Sequence, residues 1–120
     1  MMQSNRMKKV NELLHREIGM IFARELEFPK GAVATIAAVE TEHKLESANI
    51  YVSIYPVEKK DAILALIGKR APYIQSLLNH RLHMTHVPRL QFLFDEKGQA
   101  LYELDNLMAG IEHEEKTGNL

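Results

Sequence analysis

Two basic residues beside a proline are the first candidates for chemistry in this sequence. Lys69 and Arg70 stand just upstream of Pro72. Proline fixes φ, lacks an N–H group and disfavours the helical conformation at the residue before it, here Ala71. The pattern predicts that one helix ends near Gly68 and that another begins near Pro72. Free N–H groups at a helix start, next to two cations, suit an anion, so the pattern predicts a phosphate-contacting elbow.

Five other cations are candidates for the same role. Arg6, Lys9 and Arg16 share one side of the first predicted helix, and Arg81 and Arg89 lie near the elbow in the predicted fold. Phosphate contacts need only cations and N–H groups and carry little sequence information. A solvated charged face is the commoner explanation for the helix residues. Ordinary surface charge explains Arg81 and Arg89 equally well.

The histidines raise the question of a metal site. His80, His83 and His86 recur every three residues, and two histidines on a helix could ligate a metal with a third ligand. No acid with HExxH-type spacing accompanies them, so we interpret them as polar surface residues that add positive charge at mildly acidic pH. Neither Ser53 nor Ser76 has a neighbouring base. We therefore predict no catalytic residue and no metal site.

Composition narrows the class of protein. The chain has 120 residues, a net charge of −1 and no cysteine, which excludes disulfides and thiolate zinc sites and fits a reducing, cytoplasmic setting. No signal peptide is recognised and no apolar run is long enough to span a bilayer, so no membrane association is expected. Glu112, Glu114 and Glu115 crowd one end and leave the rest mildly basic.

Apolar spacing predicts the elements that position these residues. The first strand has apolar residues on both sides, which is typical of a central strand. The connection to the second strand is short enough for an antiparallel pair, and the helical crossover before the last strand allows a parallel pairing. The predicted elements are helix 5–26, strands 32–40 and 48–55, helices 58–67 and 72–84, strand 89–94 and a last helix over 99–113.

These elements predict one domain. The fold class is α+β, a two-layer domain with helices on one face of a three-stranded sheet. The order is helix, strand, strand, helix, helix, strand, followed by a C-terminal helix. The predicted domain covers 1–113, including that helix, and 114–120 is expected to be a frayed polar tail.

The element order resembles the type II KH domain. The run from Ile67 to Ile74 resembles the KH pattern Ile-Gly-x-x-Gly-x-x-Ile, with Ala71 at the second glycine. Over about ninety residues the sequence is more similar to the ribosome-binding factor A family. The matching stretches, in order, are 6–10, 16–18, 39–53, 73–78 and 87–95.

The sequence departs from that family at three places. The family's Ala-x-Gly kink falls on Arg70-Ala71-Pro72, so neither small residue is kept. The family's aspartate before a conserved leucine falls at Lys44, and the arginine before its Val-Pro-like turn falls at His86.

The resemblance implies a bacterial, cytoplasmic assembly factor. Such a protein would bind the immature small ribosomal subunit and its ribosomal RNA and support late maturation and rRNA processing. It would have no catalytic site, cofactor or small-molecule substrate, and a monomer is the default expectation. The alternative is a protein-only adaptor that uses the last helix and makes no direct RNA contact.

Overall fold

The computed structural model describes the backbone of residues 5–118 and the side chains of residues 5–110. It is an α+β fold in which two helices, α1 and α2, pack on one face of a three-stranded sheet, and a third helix, α3, follows the sheet. The elements are α1 (Asn5–Glu25), β1 (Val33–Thr41), β2 (Ser47–Tyr55), a short 3-10 helix (Val57–Lys59), α2 (Lys60–Arg81), β3 (Arg89–Phe94) and α3 (Glu96–Gly118).

The sheet order is β1-β2-β3, with β1 antiparallel and β3 parallel to β2. The two-layer fold, the antiparallel hairpin and the parallel last strand are therefore confirmed. The prediction that the first strand is central is wrong, because β1 is an edge strand and β2 is central.

A β-bulge explains why the sequence pattern of β1 led to the wrong prediction of a central strand. The pairing register shifts between Ile36 and Ala38, so Ala37 is an extra residue in the strand. Before the bulge, Ala34 and Ile36 face the core, and after it the buried position is Thr41. The shift of one residue moves the core-facing positions from even-numbered residues before the bulge to odd-numbered residues after it. Apolar residues on both sides therefore reflect a change of phase, not burial of both faces.

Helix α2 is one continuous helix, and the predicted break between two helices at Gly68, Ala71 and Pro72 is wrong. Proline removes one backbone hydrogen bond, but a single interior proline can be tolerated when packing compensates for it. The packing here does not change phase across Pro72. Four side chains with no solvent exposure lie within about 60° on a helix of 3.6 residues per turn. They are Ile63, Ile67, Ile74 and Leu78.

The core lies between the helices and the sheet, around Leu14, Ile18 and Ile50, which have no solvent exposure. Phe92 on β3 is half-buried, and its ring lies 5.8 Å from that of Phe22 on α1. The last strand thus packs against α1 as well as against α2.

Helix α3 begins three residues before the predicted start and extends beyond the predicted end. Every residue from 101 to 110 is exposed. The side chains of residues 111–113, at the end of the predicted domain, and of the proposed tail 114–120 lie outside the described residues. The division into a domain 1–113 and a frayed tail stays a prediction. No helix in the described part of the chain combines the length and hydropathy needed to cross a membrane.

Candidate nucleic-acid interface

Two side-chain contacts fix how α1 and α2 lie against each other. Arg81 near the end of α2 contacts Glu17 in the middle of α1, and Tyr73 in the middle of α2 donates a hydrogen bond to Glu25 at the end of α1. Moving forward along α1 therefore means moving backward along α2, so the helices are antiparallel. The N-terminal end of α1 lies beyond the C-terminal end of α2, beside the loop that leads to β3.

Glu17 forms ion pairs with two of the predicted phosphate-binding residues, Arg81 and Arg16. Arg81 Nε lies 2.7 Å from Glu17 Oε2, and Arg16 Nε lies 3.8 Å from Glu17 Oε1. The Glu17 side chain is only 14% exposed, while that of Arg81 is 39% exposed. A phosphate that approached Arg81 would have to compete with this carboxylate. Arg16 and Arg81 are therefore weaker candidates than their charge suggests.

Lys69 and Arg70 are exposed, but they do not adjoin a helix start because α2 continues through them. They retain their charge and lack the free N–H groups that the elbow was expected to supply. Arg70 lies one turn before Tyr73 on the same side of α2, and Tyr73 contacts Glu25 at the end of α1. The hydrogen bond and negative charge of Glu25 raise the pKa of Tyr73 above its ordinary value, and Arg70 opposes that rise.

The structure brings together a different set of cations. Arg6 and Arg89, both predicted candidates, line one cleft with Lys44 and His86, which were not among them. We call this site the basic cleft. Its volume is about 690 Å³, and its remaining lining includes one carboxylate, Glu46. At about 1.5 Å per residue, α1 separates the cleft from the end near Arg70 by about 28 Å.

Parallel pairing of β2 with β3 builds two walls of the cleft. Ser47 pairs with Arg89, so both strands begin at the same edge of the sheet. The Arg89 N–H donates to the carbonyl of Glu46 at 2.9 Å, which joins the turn before β2 to the start of β3. The loops that precede these strands are therefore neighbours, and the first turn of α1 supplies Arg6 beside them.

The turn between β1 and β2 is held in an unusual backbone conformation. Leu45 has φ of 59°, in the left-handed region that is uncommon for residues other than glycine. Its N–H donates to the carbonyl of Glu42, and its half-buried side chain packs against the core. Such a conformation persists where the surrounding structure determines it. The turn that carries Lys44 is thus anchored on both sides of that residue.

Gln75 on α2 anchors the other loop. Its side-chain amide donates to the carbonyl of Pro88 at 3.1 Å and accepts from the N–H of Leu90 at 2.9 Å. The two bonds fix the backbone on either side of Arg89 on the edge of the sheet not paired with β2. The Gln75 side chain therefore makes the hydrogen bonds that a neighbouring strand would make at this edge of the sheet, and these bonds set the position of Arg89.

The cleft is electropositive and its cations are available. Three formally positive side chains and one histidine face one carboxylate. The four basic side chains are exposed, and none forms an ion pair with another described residue. Unpaired cations on a concave surface focus an anion without first having to release a partner. The arrangement suits phosphate groups. A nucleic-acid backbone can be bound through such phosphate contacts without any contact to the bases.

Sequence reasoning missed Lys44 and His86, although a signal was present. Each precedes a predicted strand by a few residues, and parallel pairing of those strands would have made the two loops neighbours. Lys9 is exposed but does not line the cleft, while His80 Nδ1 lies 2.8 Å from the carbonyl of Ser76 in its own helix. In the described residues, no group of three or more acidic or histidine side chains is placed to hold a metal ion.

Comparison with known proteins places this geometry in a family. A family model described as ribosome-binding factor A matches residues 6–108. The chain belongs to the ribosome-binding factor A family. A ribosome-binding factor A of Akkermansia muciniphila is 35% identical over 109 residues, which cover 91% of this chain and 86% of that protein. One from Thermomicrobium roseum is 32% identical over 114 residues, covering 94% and 88%.

Solved structures agree with the fold. The crystal structure of ribosome-binding factor A from Thermus thermophilus matches with a TM-score of 0.65 at 22% identity, covering 73% of this chain and 93% of that one. A homology model of the Thermus thermophilus ribosome-binding factor A, fitted into a cryo-EM map of a 30S–RbfA complex, matches with a TM-score of 0.59 at 26% identity, covering 68% and 87%. Within this family fold, Lys44 and His86 line one cleft with Arg6 and Arg89.

Proposed function

We propose that this member of the ribosome-binding factor A family is an assembly factor that binds the immature small ribosomal subunit in the bacterial cytoplasm. It contacts ribosomal RNA and supports late maturation and rRNA processing. It acts by binding, as a monomer, without a catalytic site, cofactor or small-molecule substrate. The 30S complex formed by the Thermus thermophilus protein supports the choice of partner.

The observation that carries the RNA contact is the basic cleft. Arg6, Lys44 and Arg89 come from three separate segments and converge on one concave surface without an ion-pair partner in the described chain. Lys69 and Arg70 form a second, separate basic patch. We propose the cleft as the principal phosphate site and the α2 patch as a secondary contact, with Lys9 at the margin.

Co-sedimentation tests the choice of partner. The protein should sediment with free small subunits and much less with intact ribosomes. Equal sedimentation with both, or with neither, would refute an assembly role. The premise is membership of a family, so this measurement tests the proposal separately from the location of the site.

Charge-neutralising variants test the site. Arg6→Gln combined with Arg89→Gln should weaken binding to small-subunit RNA and lower the log–log salt slope by roughly 0.7 for each single-strand phosphate that the protein no longer neutralises. Lys69→Gln combined with Arg70→Gln should have the smaller effect. Lys30→Gln, an exposed cation in the loop after α1, is the matched control and should change neither quantity. If the α2 double variant loses more affinity than the cleft variant, the cleft is not the principal site.

A protein-only adaptor is the second candidate, because α3 exposes a row of apolar side chains. In that case the cleft variants would bind small subunits as tightly as the parent. The cleft and α2 variants would then also leave the salt dependence of binding unchanged, since their cations would release no counterions in the complex.

A further inference from the structure

Helix α3 carries an apolar surface that no part of the described chain covers. Five apolar residues lie within about 120° of the helix circumference. Leu101 and Leu107 are 63% and 62% exposed, and the others are also exposed. We call this surface the apolar arc of α3, and it consists of Ala100, Leu101, Leu104, Leu107 and Met108.

An exposed apolar helix face of this kind indicates a binding partner. A helix of 23 residues gains most of its stability in water from packing of its apolar face, and a contiguous exposed apolar patch marks an interaction surface. All five residues of the arc are exposed, so their partner is not another described element of this chain. What covers the arc is therefore decided by the charges around it.

The charges that flank the arc alongside residues 100–108 are negative, and the one cation near it in the described side chains of α3, Lys97, lies a turn before Leu101. Asp105 lies about 40° beyond one edge and Glu103 about 40° beyond the other, at 3.6 residues per turn. By sequence, α3 holds six of the sixteen acidic residues of the chain and only two of the fifteen basic residues. The rest of the chain therefore holds ten acidic and thirteen basic residues. The molecule is bipolar, with a basic body and an acidic last helix.

This pattern disfavours RNA and a second copy of the chain. Phosphates would be repelled by both acidic margins. Two arcs packed face to face, parallel or antiparallel, would align carboxylates such as Glu103 and Asp105 along both seams. The open face of the sheet in a second copy is no better, because the depression beside its exposed Leu93 is lined by three carboxylates, those of Glu40, Asp95 and Glu96, against one cation, Lys97.

We infer that the apolar arc of α3 is a docking surface for a positively charged protein, one that presents an apolar stripe flanked by lysine or arginine side chains. The stripe would bury Leu104 and Met108 at the centre of the contact. The flanking cations would face Glu103 and Asp105, which sets orientation and association rate. This inference goes beyond the RNA contact proposed above and assigns α3 a separate partner.

Binding to RNA-free protein tests the inference. The probes are the individual purified proteins of the small ribosomal subunit, and the full chain is titrated with each. The parent should bind at least one basic protein, and Leu104→Gln should weaken that binding roughly tenfold or more, as loss of a central apolar anchor does. Tyr102→Gln is the matched control, since Tyr102 is 50% exposed on the same helix but outside the arc. It should bind like the parent.

The charge component has its own variant. Glu103→Gln combined with Asp105→Asn should weaken binding and flatten its salt dependence. Denaturant melts should show that the variants unfold like the parent, because the altered side chains are exposed.

Four results would overturn the inference. They are no binding of the parent to any probe, equal binding by Leu104→Gln, a dimer of the chain that Leu104→Gln abolishes, and crosslinks from a photoreactive residue at position 104 to rRNA. Co-sedimentation of the parent with small subunits is measured in parallel. If co-sedimentation holds and docking fails, the error lies in the role of α3. If co-sedimentation fails, the proposed function is wrong whatever α3 binds.

Discussion

Replacement of Gln75 by leucine should destabilise the protein by about 2 kcal/mol. The side chain makes two hydrogen bonds to partly buried backbone, at 3.1 Å to the Pro88 carbonyl and 2.9 Å from the Leu90 N–H. Each such bond contributes about 1 kcal/mol net, and an unpaired buried group costs more. Leucine has nearly the same helix propensity and a similar size, so the loss would report the two bonds.

The assay is a urea melt with linear extrapolation, together with hydrogen exchange of the Leu90 amide. That amide should lose protection in Gln75→Leu more than amides in the centre of β2 do. Asn79→Ala is the control. It removes only the exposed hydrogen bond between the two side-chain amides and should cost less than about 0.5 kcal/mol. A loss below about 0.5 kcal/mol in Gln75→Leu, with the Leu90 amide still protected, would refute the proposed anchoring.

Pro72→Ala should stabilise the protein by about 1–3 kcal/mol, because Pro72 lies inside a continuous helix, and a lower denaturant midpoint would contradict this expectation. Thr41→Val should raise the free energy of unfolding by about 1 kcal/mol, since the buried Thr41 hydroxyl has no hydrogen-bond partner among the described residues; a decrease in the same melt would reveal one. Phe92→Ala should cost about 2–3 kcal/mol, below the range for a fully buried phenylalanine, because this ring is half-buried against Phe22; a change under about 1 kcal/mol would mean that the packing of this ring contributes little. Removal of residues 117–120 should leave the melting temperature unchanged, because the segment has little apolar surface to bury, and a marked drop would show that the end is docked.

Periodic burial made most of the fold predictable. The stripes of α1 and α2 and the alternation of β2 follow directly from packing against one core, so their existence and order could be read from the residues. Two local rules failed where packing overrode them. Pro72 predicted a break, but four buried side chains in constant phase keep α2 intact. The alternation of β1 concealed a bulge at Ala37, which only strand pairing reveals.

The candidate site was harder to predict because it depends on distant segments. Charge alone suggested Arg16 and Arg81, and only the structure shows that both contact Glu17. The same limitation hid Lys44 and His86, whose proximity follows from parallel pairing of β2 with β3. Residue type predicted what kind of ligand to expect, while tertiary pairing determines where it could bind.

The parallel pairing of β2 with β3 also fixes when the cleft can exist. Ser47 and its partner Arg89 are roughly forty residues apart in sequence, with the whole of α2 between them, and such non-local pairings form slowly. Arg6 and Lys44 leave the translating ribosome long before Arg89 does. Since synthesis adds about 5–20 residues per second, the chain spends seconds with two of its cations made and the third absent. A nascent or partly folded chain therefore has the cations of the cleft without the concave surface that gathers them, and the phosphate binding proposed for the cleft would require completed folding.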